Sequence, residues 1–355
     1  MPMKKTILVL HLILVGSSIL AAPTKFDSLY SIIANNAPQS TAAHNTAIND
    51  LANRIYSHTN LVQTQSLQLA DLYNNKDEVQ RATALRLYAL TYYVQEDYTR
   101  ALEILIPLVD IMKESGSKTN LASIYESLSL TYKLRGDLET VFEYGKRALN
   151  LYEQDENYLN AASCANNLAI NYMAQENYQE AREYYNIAIT YYRDHQLSAQ
   201  LAMALINRGS LNVLEDKNID ARTDLLESLD LLKGSKNDLA LAYAFTSLGN
   251  AELNLKQLDV AEVYLEEGYN LALKAGAFQQ TSIASEVLGR VYAESGDYEK
   301  AYLFQRKWFL LQDSFRTAEE DQRLVETLQK FENEKKENEI AILSSKNKIA
   351  RQKVL

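Results

Sequence analysis

The sequence predicts an all-α solenoid of six helix–turn–helix units in series, followed by a long charged C-terminal helix or coiled coil. Three observations carry this: a 40-residue period in small and aromatic residues, a near absence of helix breakers, and cap-forming side chains at a fixed place in each period. Only 4 prolines and 11 glycines occur in 355 residues, which favours long helices over strands and turns. A solenoid also reconciles the length with the lack of any obvious domain boundary, because each unit needs only its neighbours.

The period rests on near copies. Glu96-Asp97-Tyr98-Thr99-Arg100-Ala101, Glu176-Asn177-Tyr178-Gln179-Glu180-Ala181 and Gly296-Asp297-Tyr298-Glu299-Lys300-Ala301 end on alanines spaced by multiples of 40. Stepping by 40 gives Ala101, Val141, Ala181, Ala221, Ala261 and Ala301. Twelve residues before each stands a small residue: Ala89, Ser129, Ala169, Gly209, Gly249, Gly289. Nine before stand Tyr92, Tyr132, Tyr172, Asn212, Glu252 and Tyr292, so the fourth and fifth units depart from tyrosine.

These columns have a physical logic. Small residues let two antiparallel helices approach closely, and aromatics fill the space between that pair and the next. Many of the 24 tyrosines are expected to be such wedges. Asp97, Asp137, Asn177 and Asp297 are placed to cap each second helix, and Gly136 and Gly296 to turn the chain out of the first. Pro107 falls inside a second helix and is expected to kink it.

This pattern, from about Ala82 to Leu311, resembles the tetratricopeptide repeat in the long form seen in kinesin light chain and in bacterial peptide-sensing regulators. Ala165-Asn166-Asn167-Leu168-Ala169-Ile170-Asn171-Tyr172 is its best local match. The period here is 40 rather than about 34 residues, and the proline that commonly closes a unit is missing. The resemblance implies a right-handed superhelix whose first helices line an inner groove.

The flanks read differently. Met1-Pro2-Met3-Lys4-Lys5, an apolar run to Leu20 and small residues Ala21 and Ala22 have the layout of a secretory signal peptide, cleaved after Ala21. The expected location is therefore outside the cytoplasm: periplasmic, or membrane-associated and facing the periplasm. Residues 22–81 read as a helical N-terminal cap or degenerate repeat, and 82–313 as the six repeats. Residues 314–355 read as a charged helix, with Leu324, Leu328, Phe331, Ile342 and Ile349 on one seam if Lys335, Asn338 and Ser345 join it. The stretch from Lys330 to Leu343 resembles the linker of bacterial membrane sensors that join a tetratricopeptide array to a diguanylate cyclase, histidine kinase or helix-turn-helix output domain.

Composition excludes several function classes. A formal net charge of −10 opposes nucleic-acid binding. His11, His44, His58 and His195 are scattered, no glycine-rich phosphate loop appears, and no catalytic constellation is recognisable. The chain is read as non-enzymatic, without metal or cofactor. The single cysteine, Cys164, sits among small residues and reads as buried packing.

The candidate site is the groove face of the first helices. Spacings of three and four residues put Arg86 and Tyr93, then Glu126 and Lys133, then Asn166, on that face, with Arg290 in the last unit. The resemblance gives Asn166, Asn167 and Asn207 the role of holding a peptide main chain, and geometry adds Asn250. The same asparagines can equally cap or bridge neighbouring helices.

The expected function is a scaffold binding a peptide or protein segment, with self-association through 314–355. The alternative is the periplasmic sensory region of a membrane signal transducer whose output domain is absent from this chain. Membrane contact would follow from an uncleaved signal segment or a continuing chain.

Overall fold

The computed structural model describes residues 48–314 except 50, 75 and 76. The proposed signal peptide, about half of the proposed N-terminal cap and the proposed coiled coil beyond Ser314 lie outside the described residues. The described chain is all α-helical. From Thr59 onward its helices run as α1 (Thr59–Leu72), α2 (Glu78–Val94), α3 (Tyr98–Ser115), α4 (Lys118–Leu134), α5 (Leu138–Gln154), α6 (Tyr158–Ala174) and α7 (Tyr178–Asp194). They continue as α8 (Ser198–Leu214), α9 (Asn218–Leu231), α10 (Asp238–Asn254), α11 (Leu258–Lys274), α12 (Phe278–Ser295) and α13 (Tyr298–Ser314). From α2 onward they form six hairpins. The chain divides into two compact units between Ala204 and Leu205.

A backbone period of 20 underlies the sequence period of 40. Left-handed residues end the helices at Glu96, Gly116, Gly136, Glu156, Glu176, Gln196, Asp216, Lys256, Gly276 and Gly296. The one break in this count is Gly234, after α9, which at 14 residues is shorter than the 17 or 18 of the other hairpin helices. Gly136 and Gly296 take the turn as their type predicts, whereas charged or amide side chains take it six times. Each such turn is closed five residues back: Asp97, Asn157 and Gln257 donate their N–H to the carbonyls of Tyr92, Tyr152 and Glu252 at 2.9 Å.

Side-chain caps follow at most of the expected places. Asp97, Asp137 and Asp297 accept from Arg100, Thr140 and Lys300. Asn177 makes no such bond, a departure from the expectation. Asp77, Asn157 and Asn237 cap first helices in the same way, which the near-copy loops did not reveal. α3 continues uninterrupted through Pro107. Glu103, whose carbonyl loses its donor there, and Pro107 both lie on the exposed side, where water can serve.

In the first unit the core runs along the alanine and small-residue columns. Ala89, Ala101, Val141, Ala169 and Ala181 are fully buried, and Ser129 donates its hydroxyl to the Val141 carbonyl at 2.8 Å across the hairpin. Ile48, Leu51 and Ile55 pack with Val62, Leu69 and Leu87 to close the N-terminal end of this core. Cys164 is buried against the Gly145 carbonyl, 3.3 Å away, and burial pushes its thiol up. It is a packing residue, not a reactive one. In the second unit a Cβ on Gly249 would fall 2.4 Å from Leu265 Cγ, and one on Gly209 2.7 Å from Leu225 Cγ. Those two glycines are fixed by the approach of paired helices.

The tyrosine column is the joint between hairpins. Phe142 on α5 stacks on Tyr172 of the next hairpin with centroids 4.1 Å apart, and Tyr172 stacks in turn on Tyr184 at 5.5 Å. At the same step of thirty residues Arg222 forks onto Glu252, and Glu262 accepts from the Tyr292 hydroxyl at 2.9 Å. Asn212 donates to Asp224 at 3.0 Å, and Asp224 is itself gripped by Arg208 at 2.9 and 2.6 Å. The fifth unit therefore replaces an aromatic joint with a charged one, whereas in the fourth Asn212 bonds within its own hairpin.

Glu252 is 5% exposed, so its carboxylate depends on Arg222. Arg222→Ala leaves a buried charge unpaired and should cost about 3–5 kcal/mol, read as a lower urea midpoint in helicity. Arg222→Phe with Glu252→Tyr copies the Phe142–Tyr172 joint and should recover most of that loss. A double variant no more stable than Arg222→Ala would show that the joints are not interchangeable.

Candidate functional site

A pocket of about 290 Å³ opens in the first unit against the first helices of three successive hairpins. α2 contributes Arg86 and Leu90, α4 contributes Glu126, Ser127, Leu130 and Lys133, and α6 contributes Asn160, Ser163, Asn167, Ile170 and Asn171. The second helices supply little, chiefly Gly145, whose missing side chain leaves room for Leu168: a Cβ there would sit 2.6 Å from Leu168 Cδ2. The walls thus join an aliphatic strip at Leu90, Leu130 and Ile170 to polar flanks. Those three residues occupy one column of the repeat, immediately after the small residue that seats each hairpin.

The charged groups are unevenly partnered. The Tyr152 hydroxyl, reaching from α5, donates to Glu126 Oε2 at 2.7 Å and lies 3.0 Å from Ser123 Oγ. Desolvation raises the Glu126 carboxyl above its ordinary range, against the lowering pull of the Tyr152 bond and the Arg86 charge. Arg86 donates one bond, from Nη1 to Ser127 Oγ at 3.2 Å, and burial lowers its pKa, with Tyr152 and Glu126 opposing. Lys133 is lowered by burial alone and has no side-chain hydrogen bond or ion pair among the described residues. Desolvation also pushes the Tyr152 phenol well up, so it remains a donor.

Asn171 completes the wall with an amide whose Oδ1 is buried and has no hydrogen-bond partner. A buried amide acceptor without a partner costs stability unless something fills the site. Ser163 is held by the Tyr192 hydroxyl at 3.2 Å. Two cations, one carboxyl and three asparagines thus converge on a space that can hold a short stretch of chain or a small polar molecule.

Of the residues expected from sequence, Arg86, Glu126, Lys133 and Asn167 come together in this pocket. Tyr93 is buried beside Tyr98, with ring centroids 6.1 Å apart, and is not among the lining residues. Asn166 is half-buried next to the pocket residue Asn167 but does not line it. Asn207, Asn250 and Arg290 belong to the second unit, where Asn207 is buried, Asn250 keeps a buried unpartnered Oδ1 and Arg290 is exposed. The face expected to be free is partly closed there, since Ile206, Val213, Thr246 and Leu253 are all buried. Asn160, Ser163 and Asn171 were missed, although with Asn167 they form a stripe at helical spacing along α6.

Tetratricopeptide repeat family models match residues 80–154 and 161–193. No curated protein matches. Among solved structures, the apo form of RapI is similar at a TM-score of 0.53 and 14% identity over 66% of this chain and 98% of its own. A signal transduction ATPase with a tetratricopeptide repeat sensor, PH0952 from Pyrococcus horikoshii, gives 0.63 and 15% over 83% of this chain and 44% of its own. NprR, solved with its cognate peptide NprX, gives 0.50 and 18% over 83% and 84%. At these identities the likeness is one of fold.

Glu126 also makes the pocket sensitive to pH. Its native pKa lies above the unfolded value, so the stability tied to its neutral form is complete at low pH and is lost as pH rises through the native pKa. Glu126→Gln should therefore be more stable than the wild type at neutral pH, with the difference vanishing near about pH 4. Parallel urea titrations across pH check this, and a constant difference would place the strain elsewhere.

Proposed function

We propose that this chain, a protein of the tetratricopeptide-repeat superfamily, is an exported, non-enzymatic scaffold that binds an extended peptide or protein segment along the first helices of its hairpins. The observation that carries the reading is the pocket shared by α2, α4 and α6, where polar groups wait without protein partners. An extended peptide offers an N–H and a C=O at every residue. Asn160, Asn167 and Asn171 can each donate to one and accept from the other. The strip of Leu90, Leu130 and Ile170 would take an aliphatic side chain, and Arg86 and Lys133 the polar end. That NprR was solved with a peptide agrees with this reading.

Export rests on the basic, apolar and small-residue sequence of the first 22 residues. Among the described residues no helix is long and apolar enough to cross a membrane. A second reading, the sensory region of a membrane signal transducer, is favoured by the charged segment from Lys330 to Leu343. The two readings share the binding site and differ in what the bound state is coupled to.

Selection of peptides from a displayed random library on the purified protein tests the reading. Selected peptides should bind Asn167→Ala and Lys133→Ala at least about tenfold more weakly, for a loss of about 1.4 kcal/mol or more, with helicity unchanged. Asn250→Ala, in the second unit, should bind as the wild type does. Equal binding by all three variants would move the site out of this pocket.

A further inference from the structure

The three charged side chains in the pocket are not matched to one another. Two cations, Arg86 and Lys133, face one carboxyl, Glu126, and no ion pair within 4.0 Å joins either cation to it. Glu126 is engaged instead by a neutral phenol, Tyr152. Lys133 has no side-chain partner among the described residues, and four of the five Arg86 donor positions are uncommitted. Both cations are half-buried, and cations in a poorly solvated place normally carry a matching anion, because leaving them unpaired there is costly.

We propose that the pocket receives an anionic group between Arg86 and Lys133, and that Glu126 takes up one proton as the group enters. This deepens the binding reading above and rests on it for the site. The entering negative charge is attracted by the two cations and repelled by ionised Glu126, the one acidic residue in the lining. Protonation turns that repulsion off, and the neutral carboxyl gains a donor that can face the ligand. The proton comes from solvent and remains on Glu126 until the anion leaves, so anion and proton bind as a pair.

The surrounding groups leave Glu126 as the natural site of the exchange. Interacting with it are Arg86 from α2, Tyr152 from α5, Cys164 on α6 and Tyr192 from α7, while Lys133 lines the same pocket from its own helix. Burial pushes Tyr152, Cys164 and Tyr192 up, which keeps all three neutral, while it raises Glu126 toward the pH at which the exchange would be felt. Lys133 is the competing candidate, since burial lowers it and an anion would raise it again.

Calorimetry on the whole chain decides, with three probes: sodium sulfate, acetyl-Ala-Asp-Ala-amide, and acetyl-Ala-Ala-Ala with a free C-terminal carboxylate. Which of the three binds identifies the source as a free oxyanion, an acidic side chain or a chain terminus. Titrations in two buffers of different ionisation enthalpy count protons. The wild type should take up close to one proton per anion at the midpoint of the transition. Its affinity should weaken as pH rises through the Glu126 transition, by up to about tenfold per unit. Glu126→Gln should bind without proton uptake and with little pH dependence, and Lys133→Met should weaken every probe that binds.

No binding of any probe at about 10 mM would overturn the proposal, as would proton uptake that persists in Glu126→Gln, which would assign the titration to Lys133. If Glu126→Gln does not fold, the carboxyl carbon-13 signal of Glu126 in the wild type serves instead. Its titration should move to higher pH on adding a binding probe, and an unmoved titration overturns the proposal. Peptides selected through the pocket with no acidic group and no proton uptake would leave the scaffold reading standing and remove this one. Proton-linked sulfate binding with no peptide selected would do the reverse.

Discussion

Everything in this structure depends on how one hairpin hands its outer face to the next. A two-helix hairpin cannot bury its own apolar surface, so each second helix must be covered by the first helix of the following unit. The cover is made at one recurring pair of positions thirty residues apart, filled by Phe142 and Tyr172, by Arg222 and Glu252, and by Glu262 and Tyr292. Stacking, a buried ion pair and a phenol–carboxylate bond all satisfy the same geometric demand. The demand is for a filled, fully paired contact at a fixed spacing, and the chemistry that fills it is free to vary.

That freedom lets the same repeat carry a binding surface. The small-residue column sets how closely the helices of a hairpin approach, and the joint column sets how hairpins follow one another. The residue just after the small one is committed to neither. In the first unit it is Leu90, Leu130 and Ile170, and these line the pocket with the polar residues around them. In the second unit the corresponding stretch is partly buried, with Ser210 bonded to Ser247 at 2.9 Å. A pocket forms where the first helices carry side chains that the packing columns do not use.

The polar groups of the pocket show the cost of that arrangement. Glu126, Arg86 and Lys133 are all shifted away from their charged forms by desolvation, and Asn171 keeps an unpaired acceptor. Groups selected for stability alone would be paired with one another or replaced by apolar residues. Cys164 and Tyr152, beside them, show the contrast: each is buried and bonded within the protein. Strain concentrated on the side chains that face the opening is what a site prepared for a partner would carry.

The sequence by itself determined the helices, their pairing and their period. Spacing on a chain with 4 prolines is a local property, and a column of Ala101, Val141, Ala181, Ala221, Ala261 and Ala301 has no other economical explanation. It also marked Arg86, Glu126 and Lys133 as facing one way, because helical spacing fixes direction, while Asn167 came from the resemblance to the tetratricopeptide repeat. It did not show that Asn177 leaves its helix uncapped, that Asn212 bonds to Asp224 inside its own hairpin, that Glu252 enters an ion-paired joint, or that Tyr93 turns into the core. Those depend on what stands opposite, across a hairpin or thirty residues away, and the identity of an opposing side chain is not periodic. Only the tertiary structure decided which polar side chains found partners and which were left facing the pocket.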